Sequence, residues 1–131
     1  MTLLRRDRRA AVEARDWLSA FLTGQVDVRQ VDDAALVLSE LATNALHHGL
    51  GEIVVRASVD GDGAVQVSVT DSGDELPAIQ PADPTRIGGL GLRIVDELTS
   101  QWGVASFPGG KTVWATIAVR AAADGDRSVT T

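Results

Sequence analysis

Apolar residues recur every three to four positions in three parts of the chain, which is the spacing of an amphipathic helix. The first part ends at Gly24 and the second at Gly49, and glycine commonly follows the last turn of a helix. Asp32 and Asp33 suit the start of the second helix, because acidic side chains are stabilised at that end. The pattern predicts helices over residues of about 8–23, 31–48 and 91–101.

Apolar and polar residues alternate in four other segments, which predicts strands over residues of about 52–60, 64–71, 102–107 and 111–119. Gly61-Asp62-Gly63 joins the first two strands, and Pro108-Gly109-Gly110 joins the last two, as hairpins. Strands with one apolar face need helices to cover that face. The sequence therefore predicts an α/β fold, a two-layer sandwich whose mixed, largely antiparallel sheet is covered on one face by helices.

Two segments lack either pattern. Residues 72–88 are rich in proline, aspartate and glycine, and so long an irregular segment in a small domain is typical of a functional lid. The end of the chain is small and polar. We therefore expect a single domain over residues 1–120 and a disordered tail over residues 121–131.

Composition removes several classes of function. The 131 residues include no cysteine, which excludes thiolate chemistry and disulfides, and the net charge of −6 argues against direct binding to nucleic acid or an anionic membrane. The one basic cluster, residues 5–9, is interpreted as the solvated start of a helix. The sequence has neither an apolar run of membrane-spanning length nor a signal-peptide core, so we expect a cytoplasmic protein.

Glu40 and Asn44 lie one helical turn apart on the second predicted helix, so their side chains point the same way. A carboxylate can accept a proton, and a carboxamide oxygen can bind magnesium. The alternative is an amphipathic helix with a solvated polar face. The pair alone does not decide between a site and a surface.

Asp71 continues the inward parity of Val65, Val67 and Val69, so we expect its carboxylate to point toward the helical layer. A buried carboxylate needs a partner, and the exocyclic amine of adenine would be one. Gly73 would let a flat group approach the backbone closely. The alternative is an aspartate that opens a turn.

A glycine-rich run, residues 88–92, leads into the third predicted helix, and such backbone suits phosphate oxygens. Two familiar phosphate-binding motifs do not fit. A dinucleotide fingerprint starting at Gly89 would need a small residue at Ile94. Gly110-Lys111-Thr112 mimics the end of a P-loop, but the earlier glycine is replaced by Ala105 and a strand follows.

Three spaced motifs carry a family resemblance: Glu40-x-x-x-Asn44, Asp71-x-Gly73 and Gly89-x-Gly91-Leu92. In this order and on these elements they resemble the GHKL ATP-binding fold shared by gyrase, histidine kinases and their relatives. Within that fold, residues 40–49, 91–104 and 110–114 resemble stand-alone anti-sigma-factor serine kinases. The resemblance covers residues of about 10–119.

The resemblance implies a role for each matching residue. Asn44 would bind Mg²⁺, Asp71 would accept from the adenine amine, and Glu40 would be the general base. Thr112 matches a threonine that assists adenine binding, although its parity is opposite to that of Val113. The implied nucleotide contacts are Asn44, Asp71, Gly73, Gly89, Leu90, Gly91, Leu92 and Thr112.

The resemblance also implies ATP and Mg²⁺ as ligands and two protein partners. One is a sigma factor that the chain sequesters, and the other is an anti-sigma-factor antagonist of STAS type that it phosphorylates on serine or threonine. A nucleotide-dependent protein-binding module without kinase activity remains the alternative. Neither reading involves direct contact with nucleic acid or a membrane, and a homodimer is left open.

Overall fold

The computed structural model describes residues 1–73 and 87–119, and of residues 87–91 it describes only the backbone. Most of the predicted lid and the predicted tail lie outside these ranges. The helices are α1 (Ala10–Leu22), α2 (Val28–His48) and α3 (Ile87–Leu98). The strands are β1 (Thr2–Leu4), β2 (Ile53–Val59), β3 (Val65–Asp71), β4 (Gln101–Phe107) and β5 (Gly110–Ile117).

The five strands form one sheet in the order β1-β2-β3-β5-β4, and each neighbouring pair is antiparallel. The helices cover one face of this sheet, so the predicted α/β two-layer fold is confirmed. The prediction missed β1, whose three residues pair with β2 from Thr2↔Val55 to Leu4↔Ile53. Three residues are too few for an alternating pattern to be recognised.

The core lies between α2 and the inward face of the sheet. Leu38 is fully buried and Leu41 nearly so, as are Val65 and Val69 of β3. Burying a side chain of this size contributes about 1.5–3 kcal/mol. This packing holds α2 against β3. The C-terminal end of α2 therefore has a fixed position relative to the C-terminal end of β3.

Helix α2 begins earlier in the sequence than predicted, at Val28. Asp27 is the N-cap, and its carboxylate accepts a hydrogen bond of 2.8 Å from the backbone N–H of Gln30. The Gln30 side chain is buried and donates to the carbonyl oxygens of Gly63 (2.7 Å) and Ile117 (3.1 Å). Asp32 and Asp33 consequently lie inside the helix, because the capping residue occurs one turn earlier than the apolar pattern suggested.

Helix α3 also begins earlier than predicted, at Ile87, so residues 88–92 belong to the helix instead of preceding it. Glycine disfavours a helix interior by about 1 kcal/mol relative to alanine, which is why the sequence predicted a loop there. The following turns bury Leu92 and Val95 in the core, and this packing favours the helix despite its glycines.

Arg6 ties the N-terminal segment to the last turn of α2. Its Nη1 donates to the carbonyl oxygens of Ala45 (3.0 Å) and Leu46 (2.8 Å), and its Nε donates to that of Gly51 (3.0 Å). The last carbonyls of a helix lack partners within the helix, and a cation is favourable at this end. This arginine is thus not merely solvated, as the sequence had suggested, but satisfies the end of α2.

Replacing Arg6 with alanine should lower the free energy of unfolding by about 1–2 kcal/mol, because charged hydrogen bonds to three carbonyl oxygens are lost. Chemical denaturation measures the change. Arg5→Ala is the matched control, since the Arg5 side chain forms no hydrogen bond with residues 1–73 or 87–119 and should matter by less than about 0.5 kcal/mol. Equal effects of the two substitutions would contradict the capping role.

Candidate functional site

Asp71 ends β3 with its side chain on the inward face, as its parity predicted. The residue is 3% exposed. Its Oδ1 accepts two hydrogen bonds, from the backbone N–H of Gly73 (2.7 Å) and from Nζ of Lys111 (3.0 Å). Within residues 1–73 and 87–119, Oδ2 accepts no hydrogen bond. The carboxylate therefore keeps one oxygen for a further donor.

Lys111 is the site residue that sequence reasoning missed. It lies directly opposite Asp71 in the antiparallel register of β3 and β5, and it is 1% exposed. The signal was present in the sequence, because the alternation that turns Val113 and Ile117 inward also turns Lys111 inward. A buried charge must be paired, and each member of this ion pair meets that need for the other.

Two glycines allow the Asp71 carboxylate to lie beside the end of α2. A Cβ on Gly49 would come within 2.5 Å of Asp71 Cγ and 2.6 Å of its Oδ2. A Cβ on Gly73 would approach both Asp71 Oδ1 and the Gly49 Cα to 3.1 Å. The backbone N–H of Ser72 also donates to the carbonyl oxygen of Leu50 at 2.8 Å. The segment after β3 therefore packs directly on the segment after α2.

Asn44 lies in α2, slightly more than one turn before Gly49, and is 9% exposed. Its carboxamide forms no hydrogen bond within the described ranges. A buried polar side chain without a partner is costly, and a carboxamide oxygen is a suitable magnesium ligand. The residue thus fits the predicted role in holding Mg²⁺ together with phosphate oxygens.

Glu40 lies one turn before Asn44 and is partly buried. Burial raises the pKa of its carboxyl group, because desolvation disfavours the charged form. No hydrogen bond or ion pair from residues 1–73 or 87–119 offsets this effect. A carboxylate with a raised pKa is a stronger proton acceptor once it is ionised, as a general base requires.

The remaining predicted residues are Thr112, Leu92 and three residues of which only the backbone is described. Thr112 points to the opposite face of the sheet, where its hydroxyl is hydrogen-bonded to that of Thr70 at 2.7 Å. The structure therefore does not bring the Thr112 side chain to Asp71. Leu92 is 3% exposed and buried in α3. Gly89, Leu90 and Gly91 belong to α3, and their predicted contacts to phosphate remain predictions.

Comparison with known proteins decides the family. A family model described as the histidine kinase-like ATPase domain matches residues 4–117, which is most of the chain. The chain belongs to the histidine kinase-like ATPase family. The predicted GHKL resemblance is thereby confirmed, and this ATPase domain is a nucleotide-binding domain by family.

Two individual proteins are similar to this ATPase domain over most of its length. An anti-sigma F factor of Pasteuria penetrans is 36% identical over 115 residues, an alignment that covers 76% of each protein. The crystal structure of the RsbU and RsbW domains of Rv1364c from Mycobacterium tuberculosis superposes with a TM-score of 0.67 at 29% identity. That match covers 88% of this chain but only 30% of the longer protein.

The histidine kinase domain of the blue-light activated histidine kinase of Erythrobacter litoralis EL346 shares the fold at a TM-score of 0.55 and 22% identity. The match covers 84% of this chain and 61% of that chain.

Among the helices that the structure describes in this ATPase domain, none is long and apolar enough to cross a bilayer.

Gly49→Ala should destabilise the ATPase domain by about 1–3 kcal/mol, because the added Cβ overlaps the Asp71 carboxylate and one of the two must shift. Denaturant unfolding tests this expectation. Gly61→Ala is the control, since a Cβ there meets nothing within 4 Å. If Gly49→Ala proved as stable as Gly61→Ala, the close packing of α2 on Asp71 would be refuted.

Glu40→Gln should stabilise the protein at pH 8 and not at pH 3.5. The folded state favours the protonated form of Glu40, so the stability it contributes is complete below the ordinary pKa of about 4.3 and is lost as the pH rises through the raised value. Unfolding measured at both pH values checks the sign. The exposed Glu52→Gln should unfold like the wild type at both, and a Glu40→Gln effect that grew toward acid pH would be the wrong sign.

Proposed function

We propose that this ATPase domain binds Mg-ATP and phosphorylates a serine or threonine of an anti-sigma-factor antagonist of STAS type. One observation carries the proposal. Glu40, whose pKa is raised by burial, lies one helical turn from Asn44, whose buried carboxamide has no partner within the described ranges. A proton acceptor beside a metal ligand in a member of this family supports phosphoryl transfer beyond simple nucleotide binding.

Each residue has a part in the proposed reaction. Asp71 accepts a hydrogen bond from the adenine amine and Gly73 lies beneath the ring, so the base is held at the junction of β3 and α2. Asn44 would hold Mg²⁺, which neutralises charge on the phosphate oxygens when bound. The glycines and leucines of residues 89–92 would wrap the phosphates. These contacts fix the γ-phosphate relative to Glu40.

Glu40 is the proton acceptor in the proposed reaction step. The carboxylate takes the proton from the attacking serine or threonine hydroxyl, and the hydroxyl oxygen forms a bond to the γ-phosphorus. The bond from that phosphorus to the β–γ bridging oxygen breaks, and ADP leaves with the electron pair. Phosphoryl transfer of this kind depends mainly on positioning and charge neutralisation, which the cluster supplies.

Sequestration of a sigma factor is the second half of the proposal. It is supported by the anti-sigma F factor of Pasteuria penetrans and by the RsbW domain of the structural relative. We propose that the antagonist competes with the sigma factor for this chain and that phosphorylation removes the antagonist from the competition. A homodimer is compatible with this arrangement and is not required for the chemistry.

The experiment combines the chain with Mg-ATP and candidate antagonists and detects phosphoserine or phosphothreonine by mass spectrometry. Glu40→Gln should bind ATP like the wild type but transfer phosphate at least about 100-fold more slowly, because the proton acceptor is lost. Asp71→Asn should weaken ATP binding itself, as measured by calorimetry.

Three results would count against the proposal in different ways. Full transfer by Glu40→Gln would remove the base assignment. Unchanged ATP affinity in Asp71→Asn would remove the adenine site. Nucleotide binding without transfer to any antagonist, with sigma-factor affinity that depends on the nucleotide, would instead establish the binding module without kinase activity.

A further inference from the structure

Lys111 has hydrogen-bonding capacity that the proposed chemistry does not use. Its ammonium group carries three N–H donors, and the residue is 1% exposed. Within residues 1–73 and 87–119, only Asp71 Oδ1 accepts from it, at 3.0 Å. Buried donors are normally satisfied. The spare donors of Lys111 are therefore available to an acceptor on a bound molecule.

The Asp71 carboxylate shows the complementary imbalance. Both of its donors, Lys111 Nζ and the Gly73 N–H, bind Oδ1, while Oδ2 lies against Gly49 without a donor from the described ranges. A free acceptor and a donor with spare protons thus lie side by side where β3 and β5 meet the end of α2. A ligand that satisfies both must present a donor next to an acceptor.

Adenine has this arrangement on two edges, because the N6 amine is a donor that lies between two ring-nitrogen acceptors, N1 and N7. We infer that Lys111 donates a hydrogen bond to N1 while Asp71 accepts from N6, so that Lys111 is a specificity-determining residue for the base. The inference rests on the proposed function, since it requires ATP at this site. Guanine presents its O6 acceptor where adenine presents the amine, and this would set a carbonyl oxygen against the carboxylate.

A lysine that only neutralised Asp71 would give a different result. Neutralisation stabilises the empty site and affects all adenine nucleotides equally, whatever atom stands at position 1 of the ring. Direct recognition depends on that one atom. The two roles can therefore be separated by changing the ligand and leaving the protein intact, which avoids the problem that a lone buried carboxylate is destabilising.

The test compares the affinities of the intact chain for Mg-ATP, 1-deaza-ATP and 7-deaza-ATP by calorimetry. In 1-deaza-ATP a C–H group replaces N1, so the chain should bind it about tenfold or more weakly than ATP, the value expected for one lost hydrogen bond to a charged group. The ring nitrogen removed in 7-deaza-ATP lies away from this edge, and its affinity should remain within about twofold of that of ATP.

Variants then assign the discrimination to Lys111. Lys111→Met should bind ATP and 1-deaza-ATP with about equal affinity, because no donor is left to distinguish the two ligands. The double variant D71N/K111M removes both charges and serves if the single variant does not fold. Thr70→Val, at the outward-facing position next to Asp71, is the matched control and should keep the full preference.

Each outcome decides the inference. Equal affinity of the intact chain for ATP and 1-deaza-ATP overturns the role of Lys111 and leaves the proposed function standing, as does an unchanged preference in the folded Lys111 variants. No affinity for any of the three nucleotides overturns both proposals. Loss of the preference in the Lys111 variants alone establishes direct recognition of N1.

Discussion

The buried ion pair between Asp71 and Lys111 is the interaction on which the candidate site depends. Two opposite charges, each no more than 3% exposed, meet across β3 and β5 at the end of the sheet that faces the end of α2. Breaking such a pair by removing one partner is far more costly than its net contribution to stability. The pair thus fixes the carboxylate at the junction of the two layers, where a Cβ on Gly49 or Gly73 would crowd it.

Most of the fold followed from patterns that the chain repeats locally. The alternation along β3 correctly turned Asp71 inward, and the helical spacing correctly placed Glu40 and Asn44 on α2. The predictions failed where a local rule met a tertiary interaction. Asp27 caps α2 earlier in the sequence than the apolar pattern predicted. Packing of Val95 in the core stabilises α3, which therefore begins before the glycines that favour a loop.

The candidate site was predictable in its types of residue and less so in its contacts. Glu40, Asn44 and Asp71 could be selected because their chemistry suits a nucleotide. The pairing of Asp71 with Lys111 could not be read from either strand alone, because it depends on the register between β3 and β5. Thr112, one residue away, was assigned to the site by the family resemblance against its parity, and in the structure its side chain follows the parity and points to the opposite face.

Lys111 is also the single lysine of this sequence, so its burial has a consequence for amine chemistry. Reagents that modify ε-amino groups can reach the folded chain at this position only when the end of the sheet opens. Its rate of modification therefore reports local opening at the base of the site, without a competing signal from surface lysines. Any ligand that closes on the Asp71 carboxylate should slow that rate, which makes one native side chain a built-in probe of occupancy.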